Sequence, residues 1–111
     1  MPMPSSGGLL LHQMMKMVEN KPLPSYGFLS PESVQLMTEV ERRAYADRAE
    51  YMGDADFYNV PEAMLTSSVY LDKRMRDYKP GIAGDSKTIG PGKISMKKES
   101  EETTHFSIVD D

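Results

Sequence analysis

A threonine that opens a strand directly after a glutamate-rich run can do chemistry that an ordinary strand threonine cannot. Thr103-Thr104-His105-Phe106-Ser107-Ile108-Val109-Asp110-Asp111 reads as a β-strand, and Glu99, Glu101 and Glu102 stand before it. By residue type alone, Thr103 is a β-former and nothing more. Two features add to that reading. The strand follows a long segment rich in glycine and proline, which lets its start reach an active-site geometry. The acidic run before it offers nothing to pack, as expected of a segment released by cleavage. A threonine freed at a chain's N-terminus carries its own base, an α-amino group of pKa about 8.

Other chemical motifs fail on spacing. Gly90-Pro91-Gly92-Lys93 resembles the end of a phosphate loop, but Lys87 stands where that loop needs its first glycine and Ile94 where it needs a hydroxyl. Asp54-Ala55-Asp56 opens like a calcium loop, yet Asn59 holds the position reserved for glycine. His12 and His105 are too few and too isolated for a metal centre, and His12 reads as a hydrogen-bonded packing residue. No metal or cofactor site is expected.

The elements that must position the junction are helical. Ser5 and Ser6 offer N-caps for a helix over about Leu9 to Glu19, after a tight structural turn at Gly7-Gly8. Its apolar stripe (Leu10, Leu11, Met14, Met15, Met17 and Val18) is wide enough to predict burial on most sides. Asn20 can end it in a left-handed conformation, and Pro22 and Pro24 stop it. A second helix runs from an N-cap at Ser30, with Pro31 at its first position, to a terminal glycine at Gly53. Leu36, Met37, Val40, Ala44 and Tyr51 share its apolar face, Asp47 and Arg48 edge it as a clamping ion pair, and Glu39, Glu41 and Arg42 fall elsewhere. A short helix follows from Pro61 to about Leu65. A last one, capped within Thr66-Ser67-Ser68, carries Leu71, Met75 and Tyr78 and ends at Lys79-Pro80-Gly81. Residues 80–102 lack periodicity and read as an exposed, mobile segment. The organisation is thus a helical region over 1–79, a pre-cleavage segment over 80–102, and a first strand over 103–111.

A single strand cannot satisfy its own backbone, so its partners are expected outside these 111 residues. Charge and composition exclude other classes. A net charge of −4 argues against a nucleic-acid or anionic-membrane binder, and the short basic run Lys93 to Lys98 adjoins glutamates. The absence of cysteine excludes thiolate catalysis and disulfides. Leu9 to Val18 is too short and too interrupted to span a bilayer, and no basic stretch precedes it as in a signal peptide.

Four blocks in register resemble the γ-glutamyltransferase (γ-glutamyltranspeptidase, glutathione hydrolase) family. They are Met1-Pro2-Met3-Pro4-Ser5-Ser6-Gly7-Gly8, Tyr45 to Asp54, Asp56-Phe57 with Val60-Pro61, and Pro91-Gly92-Lys93 followed by Thr103 to Asp110. The resemblance implies an α+β fold, part of an N-terminal-nucleophile hydrolase αββα sandwich, of which this chain supplies the mainly helical end of the large subunit and the first strand of the small one. It implies self-cleavage between Glu102 and Thr103, with Thr103 then the nucleophile toward glutathione and related amides, and water, an amino acid or a peptide as acceptor. It implies the remainder of both subunits as partners and a periplasmic or secreted location, with no cofactor. An isolated 111-residue piece is expected to be inactive, its strand an exposed edge. Two alternatives stay open: a relative acting on poly-γ-glutamate or a β-lactam side chain, and a stand-alone helical binding module.

Overall fold

The computed structural model describes residues 6–54 and 56–95. Glu102, Thr103 and the predicted strand 103–111 lie outside the described residues, as does Ser5. Among the described residues five helices follow one another: α1 (Gly7–Glu19), α2 (Leu23–Tyr26), α3 (Pro31–Tyr51), α4 (Glu62–Leu65) and α5 (Ser68–Arg74). Among the described residues there is no strand, only an isolated bridge between Lys79 and Ile82.

The long helix α3 is bounded much as its caps predict. Ser30 accepts a hydrogen bond from the Ser33 amide at 3.1 Å, and Pro31 occupies the first turn, where no amide donor is needed. Its far end differs from expectation. The helix stops at Tyr51 and leaves through an extended Met52, so Gly53 is not a left-handed cap. Asn20 likewise ends α1 with φ −97° rather than left-handed. The start of α1 also departs from its predicted cap. The helix begins at Gly7, and the Ser6 hydroxyl accepts a hydrogen bond from Arg48 Nε at 2.9 Å instead of capping.

Leu36, Val40 and Ala44 of α3 pack with Met17 of α1, Leu65 of α4, and Tyr70, Leu71 and Met75 in and after α5. Each large aliphatic side chain so buried contributes roughly 1.5–3 kcal/mol. The core is narrower than the apolar patterns predict. Leu11, Met15 and Met37 are exposed among the described residues. His12 is exposed as well, which corrects its reading as a packing residue. In exchange the core admits polar residues: Gln13, Glu39, Arg43 and Asp47 are all at most 2% exposed.

Candidate functional site

The two predicted site residues, Glu102 and Thr103, fall outside the described residues. What the described residues include is the segment that precedes them in the chain. After α5 the chain turns at Gly81, whose φ of +79° suits glycine, and runs back along α3. Side chains of α3 hold it at successive points, Arg42 through a side chain and the others through its backbone. Gln35 accepts from the Gly81 amide at 2.7 Å and donates to the carbonyls of Lys79 and Ile82 at 3.0 and 2.8 Å. Glu39 accepts from the Gly84 amide at 2.7 Å. Arg42 donates to the Ser86 hydroxyl. Asp47 Oδ1 accepts from the Gly92 amide at 2.8 Å, and the Tyr51 hydroxyl donates to the Gly92 carbonyl. From Gln35 to Tyr51 this row spans about 24 Å of helix.

The segment over 80–95 is therefore not uniformly exposed, contrary to the expectation for 80–102. Gly84, Ile89 and Ile94 are half-buried and Gly92 is buried, since a chain docked on a helix loses one side to it. The approach is too close for a side chain at two points. A Cβ on Gly84 meets Glu39 Oε2 at 2.6 Å, and one on Gly92 meets Arg74 Cδ at 2.6 Å and the Tyr70 hydroxyl closer still.

Two buried networks support this docking. In the first, the Asp47 carboxylate, fully buried, also receives Gln13 Nε2 at 3.3 Å and Arg74 Nη2 at 3.1 Å. Gln13 donates onward to the Leu65 carbonyl at 3.1 Å, so α1, α3, the end of α4 and α5 meet at one polar point. Burial, with the Asp47 carboxylate beside it, pushes the Tyr70 hydroxyl well above the ordinary phenol range and keeps it neutral. In the second, Arg43 Nη1 donates to Glu39 Oε2 at 2.7 Å, Nη2 to Asp77 Oδ1 at 2.7 Å, and Nε to the Arg74 carbonyl at 2.8 Å. Burial raises the Glu39 carboxyl, but bonds from Arg43 and the Gly84 amide outweigh it and hold it below its ordinary range. Asp77 is lowered chiefly by its bond from Arg43.

A pH dependence follows. Depressed carboxyl values contribute stability that is present above the ordinary values of 4.5 and 3.8 and is lost as pH falls through the folded ones. In a full-length protein carrying this chain, the gap in urea midpoint between wild type and Glu39→Gln is expected to be widest near pH 7. It should shrink steadily below about pH 4.5; a gap unchanged down to pH 3 contradicts the assignment.

The clamping role expected of Asp47 and Arg48 holds in kind but not as a pair. Asp47 holds the docked segment, α5 and, through Gln13, α1, while Arg48 reaches Ser6 at the start of α1. Sequence reasoning missed Arg43 and set Glu39 off the buried face. The signal was present in the spacing. Positions 36, 39, 40, 43, 44, 47 and 51 form one regular helical face once polarity is disregarded. A shallow depression of about 440 Å³ opens beside the docked segment, lined by Thr38, Glu41, Arg42, Tyr45, Ser86 and Ile89 among others. Among the described residues no group of three or more His, Asp or Glu could hold a metal, and no helix is long and apolar enough to cross a membrane.

A family model described as gamma-glutamyltranspeptidase matches residues 1–111. The chain is 44% identical over 110 residues to the glutathione hydrolase proenzyme of Escherichia coli K12, covering 99% of this chain and 19% of that protein. It is 35% identical over 114 residues to the acylase ACY 1 proenzyme of Pseudomonas sp. SE83, covering 98% of this chain and 19% of that one. The crystal structure of Helicobacter pylori gamma-glutamyltranspeptidase superposes with a TM-score of 0.77 at 38% identity, over 82% of this chain and 26% of that one. The chain thus spans about a fifth of the length of these curated relatives. With a family model matched over residues 1–111, curated relatives matched over nearly the whole chain and a solved structure superposed over most of it, the chain belongs to the gamma-glutamyltranspeptidase family.

Proposed function

We propose that this chain is the end of the large subunit and the beginning of the small subunit of a precursor that cleaves itself between Glu102 and Thr103. The mature enzyme then hydrolyses or transfers the γ-glutamyl group of glutathione and related amides. The observation that carries the reading is the row of α3 side chains holding the backbone over 79–92, in a chain matched by the family from end to end. A segment gripped so often is delivered to a defined place, as self-cleavage requires.

In the first step Thr103 Oγ attacks the Glu102 carbonyl carbon and the C–N bond breaks. The acyl group passes to oxygen as an ester, and the nitrogen takes up the proton that Oγ gives up and becomes a free α-amine. Water hydrolyses the ester and leaves Glu102 as a carboxylate. In turnover the α-amine accepts the Oγ proton while Oγ attacks the γ-glutamyl carbonyl, and the donor's amine departs with a proton. The second ester passes its acyl group to water or to an amino-acid or peptide acceptor. The rest of both subunits supplies the sheet and the substrate contacts, and the compartment we propose is periplasmic or secreted.

The acylase relative favours one second reading, a changed acyl group on the same scaffold. A stand-alone helical module has less support, since the family match continues past the helices through residue 111. Release of p-nitroaniline from γ-glutamyl-p-nitroanilide by the full-length protein is the expected result. A precursor that cleaves normally yet leaves this substrate untouched points to the acylase-like reading instead.

A further inference from the structure

We propose that Asp47 and Tyr51 form a register clamp on Gly92 that positions the precursor for self-cleavage; this deepens the reading that scission falls at Glu102-Thr103. The argument begins with what is held. Asp47 takes the amide of Gly92 and Tyr51 its carbonyl, so both backbone polar groups of one residue are bound by side chains one helical turn apart. One such bond fixes a location, whereas two, one to the amide and one to the carbonyl of the same residue, also fix the direction in which the chain leaves. Ile94 packs half-buried against the core just beyond.

The holder is itself immobilised. Asp47 is fully buried and tied to Gln13 of α1 and Arg74 of α5. An unpaired buried carboxylate is costly, so the site is stable only with its partners in place. Gly92 completes the fit, because Arg74 and Tyr70 occupy the space a side chain needs. An anchor meant only to keep a loop down needs none of this, as apolar packing suffices. Residues 93–102 are all that separate the clamp from Thr103. Holding the direction of departure raises the fraction of molecules in which Oγ is aligned for attack on the Glu102 carbonyl.

Asp47 and Tyr51 are positioning residues on this view, not catalytic ones. In the full-length precursor, Tyr51→Phe removes the bond to Gly92 while keeping the ring. Its conversion into two subunits, followed on a denaturing gel, is expected to slow about fivefold, the worth of one net hydrogen bond. Asp47→Asn and Gly92→Ala should slow it further. Once conversion is complete, kcat and KM of the Tyr51→Phe enzyme on γ-glutamyl-p-nitroanilide should match wild type, which a general structural defect would not allow. Conversion of Tyr51→Phe at the wild-type rate overturns the clamp, and so does a fall in mature kcat parallel to the fall in conversion. Should Asp47→Asn fail to fold, the Tyr51→Phe result decides alone. Thr103→Ala run alongside separates the two ideas. A cleaved Thr103→Ala chain removes the nucleophile reading itself, whereas an uncleaved one with unaffected Tyr51→Phe conversion removes only the clamp.

Discussion

Thr103→Ala in the full-length precursor is expected to give one uncleaved chain and to abolish hydrolysis of γ-glutamyl-p-nitroanilide. The methyl side chain has no oxygen to attack the Glu102 carbonyl, so the acyl shift cannot begin. Without scission there is no free α-amine to serve as base, and the two losses have one cause. The expected fall in activity is at least about 10³-fold, the scale on which removing a covalent nucleophile acts. Thr103→Ser keeps the hydroxyl and should still be processed, more slowly or as fast. The measurement is a denaturing gel beside a chromogenic assay of the same preparation. Two subunits from the Thr103→Ala gene would place the nucleophile elsewhere.

Arg43→Ala should be the most damaging change to the folded helical region, by about 3–5 kcal/mol. Arg43 is 1% exposed and donates from all three guanidinium nitrogens, to Glu39, to the Arg74 carbonyl and to Asp77. Its removal leaves Glu39, 2% exposed, without its main partner and leaves a cavity between α3 and the end of α5. Most of the cost is therefore the stranded carboxylate. The double variant Arg43→Met with Glu39→Gln removes both charges and keeps much of the volume, so it should recover a large part of the loss. Chemical denaturation of the uncleavable full-length precursor measures both. A double variant as unstable as Arg43→Ala would show that geometry, and not the unpaired charge, dominates.

Glu39 and Arg43 also show why the sequence is only partly legible. Their side chains are short of apolar surface, so pattern reading sends them to solvent, yet their spacing puts them on the same face as Leu36, Val40 and Ala44. Burial became affordable only because Asp77, the Arg74 carbonyl and the Gly84 amide arrive from 31 or more residues away. Leu11, Met15 and Met37 show the converse: apolar side chains that stay largely exposed among the described residues. The docked segment was illegible for a related reason. Glycines at 81, 84 and 92 read as freedom, whereas at 84 and 92 they permit backbone to lie against Glu39, Tyr70 and Arg74.

By itself the sequence determined the helical order, the start of α3 through Ser30 and Pro31, and, by the register of four blocks, the family. These are local matters, set by caps, proline geometry and contiguous motifs. Only the tertiary structure decided which polar groups are buried and that the segment over 79–92 is gripped along α3. Each of those bonds joins residues 41 or more positions apart, and no local pattern encodes which distant amide or carbonyl will arrive to satisfy a buried side chain.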